Sequence, residues 1–197
     1  MTTQPLELAF QGQQRNDMLM PLLQGRATIE GATLRPAPGP VDYFGDPRYR
    51  NGEFDLLDQN WGDILPTLDA GWDVKLLPVF TKKKLAYNYL WVRTDRGIHK
   101  PADLKGKKVG VPEYQQTSAL WSRGILQHEF GVHARQIEWF MERTPERSHG
   151  GSTGFKPPKG VKLNQIPRTT NIGEMLVKGE LDATLLYLRE NNLVDRS

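Results

Sequence analysis

The chain has 197 residues, of which 38% are hydrophobic and 25% charged, with a formal net charge of +3 and no cysteine. This composition is that of a globular protein, and the missing cysteines exclude disulfides, thiolate metal sites and a cysteine nucleophile. No apolar run reaches the length of a membrane span, the first residues lack the pattern of a secretory signal, and the mild charge does not indicate nucleic acid. We therefore expect a cytoplasmic protein that binds neither membranes nor nucleic acid, with its oligomeric state left open.

The first half of the chain alternates between predicted strands and predicted helices. Apolar alternation and turn signals predict strands over 6–10, 27–35 (a strand or hairpin around Gly31), 54–57, 74–80 and 86–93. Helical spacing predicts helices over 18–23, 43–50 and 63–70, the last of them closed by Gly71.

The second half carries clearer start and stop signals. Pro101 opens a helical turn, and Thr117 or Ser118 can cap a helix that ends at Gly131. The residues expected on the apolar face of this helix are Leu120, Trp121, Gly124 and Ile125. The other predicted elements are a turn over 101–104, strands over 108–111, 137–140 and 181–188, a loop over 143–160, and a helix between the cap Asn171 and Gly179. This alternation predicts an α/β fold with mainly parallel sheets.

One six-residue pattern occurs twice. Residues 52–57 and 179–184 both follow the order Gly-Glu-apolar-Asp-apolar, and each is placed between a predicted helix and a predicted strand. A local explanation exists, because glycine ends helices and aspartate can start a buried strand. The repeat also predicts two similar α/β lobes.

Several familiar catalytic signatures are missing. There is no phosphate-binding loop, no dinucleotide-binding glycine motif and no His-Glu-x-x-His, and the four histidines lack metal-ligand spacing. Residues 150–154 match the Gly-x-Ser-x-Gly string of serine hydrolases, but no strand precedes them and no helix follows, so we interpret the match as accidental. We expect neither a cofactor nor a metal.

The predicted site lies where the strands end, because ligands of open α/β sheets bind at the carboxyl ends of the strands. The segment 113–118 follows one strand and opens a helix, whose first N–H groups favour an anion. The candidate residues at these ends are Arg15, Asp58, Asn60, Gln116, Thr117, Ser118, Glu142, Arg143, His149 and Tyr187. We predict a small acidic ligand held between the two lobes.

Residues 101–112 resemble the segment that opens the second lobe in type II periplasmic-binding-protein folds. Within that superfamily, residues 22–31, 117–131, 142–151 and 179–187 resemble the 4,5-dihydroxyphthalate decarboxylase family. The resemblance implies a first lobe over 1–92, a second lobe over 93–188 and the start of a crossover over 189–197. Chains of this family continue past residue 197, so the first lobe is expected to lack strands. Three lysines at 82–84 stand where some members carry other residues, which leaves the substrate open.

The resemblance also implies a reaction, the loss of CO₂ from a hydroxylated aromatic dicarboxylate without a cofactor. Such a site needs a cation for the acid, a proton donor for the ring carbon and an acceptor for the phenol. Arg15 or Arg143 would hold the carboxylate, His149 would donate the proton, and Asp58 or Glu142 would accept from the phenols. The remaining candidates, Asn60, Gln116, Thr117, Ser118 and Tyr187, would bind the substrate. The alternatives are a solute-binding protein for a small anionic ligand, or a pair of lobes with neither activity.

Overall fold

A computed structural model describes residues 4–9, 19–36, 48, 51–58, 61–80, 90–144 and 155–185. The chain divides into two compact units, residues 1–84 and 85–197. The lobe boundary that the sequence places at residue 92 stays a prediction. Within the described residues, no helix is long and apolar enough to cross a membrane.

The first unit contains a three-stranded parallel sheet. Its strands are β1 (Gln4–Ala9), β2 (Ala32–Pro36) and β3 (Leu56–Leu57), in the order β2-β1-β3. Its helices are α1 (Met20–Leu23) and α2 (Trp61–Asp69). Among the described residues of this unit, the buried apolar side chains are Leu8 of β1, Phe54 before β3 and Ile64 of α2.

The predicted strand over 74–80 is wrong, because these residues form no strand. Pro78 has no N–H to donate to a ladder, and Val79 N–H instead donates to Leu77 O at 2.7 Å within a local turn. Before β2, the predicted strand over 27–30 is reduced to a single bridge between Ile29 and Ala32. The predicted helix over 43–50 lies outside the described residues, apart from Arg48.

The second unit contains a five-stranded sheet in the order β4-β8-β5-β6-β7. Its strands are β4 (Leu90–Val92), β5 (Lys108–Val111), β6 (Glu138–Met141), β7 (Lys162–Gln165) and β8 (Ala183–Leu185). Its helices are α3 (Thr117–Phe130), α4 (Ile172–Lys178) and the 3-10 helices Thr94–Arg96, Pro101–Leu104 and Ala134–Gln136. Only the pair β4–β8 is antiparallel among these neighbours, so the predicted, mainly parallel sheet is confirmed.

Two groups of buried residues fill the space around this sheet. The first is centred on Leu104, Val109, Val111, Ile137 and Trp139, and the second is formed by Ile166, Ile172, Met175, Leu176 and Leu181. Gly110 of β5 lies against the second group. A Cβ atom there would lie 2.9 Å from Leu181 Cδ1 and 3.0 Å from Ile172 Cγ2. The sheet can approach α4 this closely only with glycine at position 110.

Two predictions about helix α3 are wrong. Its buried side chains are Ala119, Ser122 and Leu126, whereas Leu120 and Trp121, expected on the buried face, are 38% and 54% exposed. The buried positions are spaced by three and four residues, as expected for one face of a helix. The N-cap is Gln116 rather than Thr117 or Ser118. The predicted stops are confirmed, because Gly131 and Gly179 both have left-handed φ angles, 62° and 76°.

The repeated Gly-Glu-apolar-Asp pattern has the same structural role in both units. Asp55 accepts a hydrogen bond from the N–H of Glu7 in β1 at 2.8 Å, and Asp182 accepts one from the N–H of Lys108 in β5 at 2.8 Å. Asp55 precedes β3, which is parallel to β1, and Asp182 precedes β8, which is parallel to β5. Each aspartate thereby satisfies a backbone N–H of the neighbouring strand.

Candidate functional site

The carboxyl ends of β5 and β6 lie side by side because the two strands are parallel neighbours, with Val111 opposite Met141. Backbone hydrogen bonds continue past both strands, from Glu142 N to Val111 O at 3.1 Å and from Arg143 N to Pro112 O at 2.8 Å. This extension brings Arg143 beside Glu113, and their side chains form an ion pair of 3.0 Å between Nη1 and Oε2.

Only one partner of this ion pair is fully buried. The Glu113 side chain has no exposed surface, while that of Arg143 is 27% exposed. A buried carboxylate is tolerated only when it is paired, so Arg143 supplies the charge that Glu113 requires. A guanidinium has five N–H donors, and one of those on Arg143 is committed to Glu113 by the ion pair. The pair presents a cation, rather than a carboxylate, toward solvent.

The segment between β5 and α3 is held by an aromatic cluster. The ring of Tyr114 packs edge-on against Trp139, with centroids 5.6 Å apart, and stacks on Phe155 at 6.0 Å. Arg123 of α3 lies 3.7 Å above the Tyr114 ring and donates a hydrogen bond to Tyr114 O. Burial raises the pKa of Tyr114 and lowers the pKa of Arg123 to about 10. These contacts fix the backbone that leads into the helix.

Two consecutive glutamines follow Tyr114. Gln115 is 8% exposed and Gln116 is half-buried, and the Oε1 atoms of both are buried and accept no hydrogen bond in the part of the chain that the structure describes. Gln116 is the N-cap of α3, yet its side chain makes no capping hydrogen bond. A buried acceptor without a donor costs about 1–3 kcal/mol. The strand end therefore contains two acceptors suited to a ligand that brings hydroxyl or N–H donors.

Glu142, which precedes Arg143, is bound to the start of α4. Its Oε2 accepts a hydrogen bond from Ile172 N at 2.9 Å, and its backbone carbonyl accepts one from Gln165 Nε2 at 3.1 Å. The carboxylate therefore lies at the positive end of a helix dipole, where a negative charge is favoured.

The structure brings half of the predicted site residues to one edge of the second sheet. Those at the ends of β5 and β6 are Gln116, Thr117, Ser118, Glu142 and Arg143. Asp58 is half-buried and follows β3 in the first unit. The other four candidates, Arg15, Asn60, His149 and Tyr187, lie outside the described residues, and so do residues 145–154 of the predicted loop.

Sequence reasoning assigns no individual role to Glu113 or Gln115, although both belong to the predicted segment 113–118. Their signal in the sequence is polarity directly after the apolar strand 108–111, where a buried charge or amide needs a partner. Arg143, the ion-pair partner of Glu113, is 30 residues away in the chain, so spacing alone could not reveal this pair. Across the described ranges, no group of three or more histidine, aspartate or glutamate side chains could hold a metal ion.

Two curated relatives are similar in sequence to most of this chain. A 4,5-dihydroxyphthalate decarboxylase of Comamonas testosteroni is 32% identical over 176 residues, which cover 86% of this chain and 52% of the relative. One of Pseudomonas putida is 30% identical over 174 residues, which cover 85% of this chain and 65% of the relative. The chain thus spans about half to two thirds of the length of these relatives. No protein-family model matches it.

A solved structure supports the fold. The periplasmic aliphatic sulphonate binding protein of Escherichia coli superposes with a TM-score of 0.55 at 16% identity, over 94% of this chain and 54% of that chain. At this identity the likeness concerns the fold, and the predicted periplasmic-binding-protein-like α/β fold is confirmed. The similarity of the chain to the 4,5-dihydroxyphthalate decarboxylase family, which its motifs predict, is confirmed by the two relatives.

Proposed function

We propose that the protein removes CO₂ from a hydroxylated aromatic dicarboxylate of the 4,5-dihydroxyphthalate type and so takes part in aromatic catabolism. The observation that carries the proposal is the sequence similarity, over about 85% of the chain, to two relatives with this named activity. The strand ends of the second unit support it with a cation, amide oxygens and a helix start, the groups that a hydroxylated acid requires.

The proposed reaction exchanges a carboxyl group for a proton. A proton adds to the ring carbon that bears one carboxylate, and the electron pair comes from the ring, assisted by the phenol oxygen para to that carbon. The bond between this carbon and the carboxylate then breaks, CO₂ leaves, and the electron pair restores the aromatic ring. The phenol proton passes to a base and returns afterwards, so the balance is one proton consumed for each CO₂ released. No electron acceptor takes part.

The residues are assigned to three tasks in this proposal. Arg143 orients the remaining carboxylate with the N–H groups that its pairing with Glu113 leaves over. Glu142 or Asp58 accepts the phenol proton, and His149 donates a proton to the ring carbon. Arg15, Asn60, Thr117, Ser118 and Tyr187 complete the substrate contacts. The cytoplasmic location is proposed together with this role.

Incubating the purified protein with 4,5-dihydroxyphthalate tests the proposal directly. The expected result is release of CO₂ together with one equivalent of 3,4-dihydroxybenzoate, with phthalate as the control substrate that lacks the phenols. Tight binding of the diacid without CO₂ release would overturn the proposal in favour of a solute-binding role. The fold shared with a sulphonate-binding protein makes that role the second candidate, but only at the level of the fold.

A further inference from the structure

We propose that Gln115 and Gln116 select the hydroxylated ring, by accepting hydrogen bonds from the two adjacent phenolic hydroxyls of the ligand. This inference deepens the proposed function, because it assigns the recognition of the hydroxyl groups to two residues of the same strand end.

The two glutamine side chains have unmet hydrogen-bonding capacity. Both Oε1 atoms are buried, and no described residue donates a hydrogen bond to either of them. The Gln115 residue as a whole is only 8% exposed, so bulk water does not replace the missing donor. Buried polar side chains are normally satisfied, and ligands of open α/β sheets bind at the carboxyl ends of the strands, so we infer that a ligand supplies the missing donors.

The two unpaired atoms are both amide oxygens. An amide oxygen only accepts hydrogen bonds, and a neutral phenol is a donor that can meet it. A carboxylate cannot, because it has no proton to donate. The glutamine oxygens therefore suit the hydroxylated edge of the ligand, while the cationic Arg143 suits its acidic edge.

The backbone on both sides of the two glutamines is held in place. Tyr114, directly before Gln115, is fixed by Arg123, Trp139 and Phe155, and Gln116 begins the 14-residue helix α3. Anchors on both sides hold the glutamine pair in place. A site that must distinguish one hydroxyl from a hydrogen atom needs such fixed partners.

The test compares ligands that the proposed reaction cannot consume. Binding of 3,4-dihydroxybenzoate and of benzoate is measured by titration calorimetry with the full chain and with the variants Gln115→Met and Gln116→Met. Methionine keeps the length of the side chain and removes the amide. The wild-type chain is expected to prefer the dihydroxylated acid, and each variant is expected to lower the ratio of the two affinities about tenfold, mainly by weaker binding of 3,4-dihydroxybenzoate.

Gln136→Met is the matched control. Gln136 lies at the opposite end of β6, and its Oε1 is satisfied by His133 N at 2.9 Å. Its substitution is expected to leave the affinity ratio unchanged. An unchanged ratio in Gln115→Met and Gln116→Met, with a gain in thermal stability, would show that the amides hold only water and would overturn the inference.

The result of this binding test is independent of the result of the CO₂-release assay that tests the proposed function. A protein that discriminates the hydroxyls through these glutamines but releases no CO₂ keeps this inference and loses the decarboxylase proposal. A protein that releases CO₂ while both variants retain the wild-type affinity ratio keeps the decarboxylase proposal and loses this inference.

Discussion

Arg143 donates a hydrogen bond to the carboxylate of Glu113 at 3.0 Å, and of the two side chains only that of Arg143 reaches solvent. The pair joins the carboxyl ends of two neighbouring strands, so it stabilises the sheet and shapes the candidate site at once. Its two members are not equivalent. Loss of the arginine leaves a fully buried carboxylate, whereas loss of the carboxylate leaves a cation that water can reach.

The first prediction follows from this asymmetry. Arg143→Met is expected to lower the free energy of unfolding by about 3–5 kcal/mol, because the buried Glu113 carboxylate loses the positive charge of Arg143. Glu113→Gln is expected to cost clearly less. The double variant should be more stable than Arg143→Met alone, since neither charge remains. Urea denaturation of the four proteins measures these values, and strictly additive effects would contradict the coupling.

The second prediction concerns the contact between β5 and α4. Gly110→Ala is expected to destabilise the protein by about 1–3 kcal/mol, because the new methyl group would overlap Leu181 and Ile172. Gly124→Ala is the matched control, since nothing lies within 4 Å of the added Cβ and the position is inside α3. This control is expected to stabilise the protein by about 0.5–1 kcal/mol. Equal melting temperatures for the two variants would show that the sheet can move away from α4.

The sequence predicts those features that depend on neighbouring residues. The cap at Asn171 is confirmed because its side chain needs only Glu174 N, three residues away, which it binds at 2.8 Å. The repeated aspartates of the two units were recognisable from the pattern of their neighbouring residues. Their hydrogen-bond partners, Glu7 and Lys108, are distant in the chain and were not recognisable in this way.

Features that depend on distant contacts were not predictable. The strand β7 is polar and at the edge of its sheet, and only its pairing with β6 makes it a strand. Trp121 was expected to be buried because of its side chain, yet the small residues Ala119 and Ser122 face the core instead. The pairing of Glu113 with Arg143 depends on the strand order, which local periodicity does not reveal.

The third prediction is a pH dependence that arises from Tyr114. Burial raises the pKa of this phenol above its ordinary value of 10.0, so above that pH the folded state keeps a proton that the unfolded state releases. The contribution of Tyr114 to the free energy of unfolding should therefore fall as the pH rises from 10.0 through the pKa of the folded protein, while Arg123, whose pKa burial lowers to about 10, acts in the opposite sense in both proteins. Tyr114→Phe keeps the ring against Arg123 and Trp139 and removes the phenol, so the free energy of unfolding of the wild-type protein relative to this variant should fall in this range. Equal slopes for both proteins would contradict the prediction.

The last prediction separates two roles of Glu142, the acceptor of a hydrogen bond from Ile172 N at the start of α4 and the proposed acceptor of the phenol proton. Glu142→Gln keeps an oxygen that can accept from Ile172 N, so the melting temperature should change little, but the side chain can no longer take up a proton. If Glu142 is the base, kcat for CO₂ release should fall about 10²–10⁴-fold in this variant. Glu142→Ala should lose both the turnover and about 0.5–2 kcal/mol of stability, because Ile172 N at the helix start loses its acceptor. Full turnover in Glu142→Gln, with lower stability only in Glu142→Ala, would leave Glu142 as the acceptor of Ile172 N and Asp58 as the proposed base.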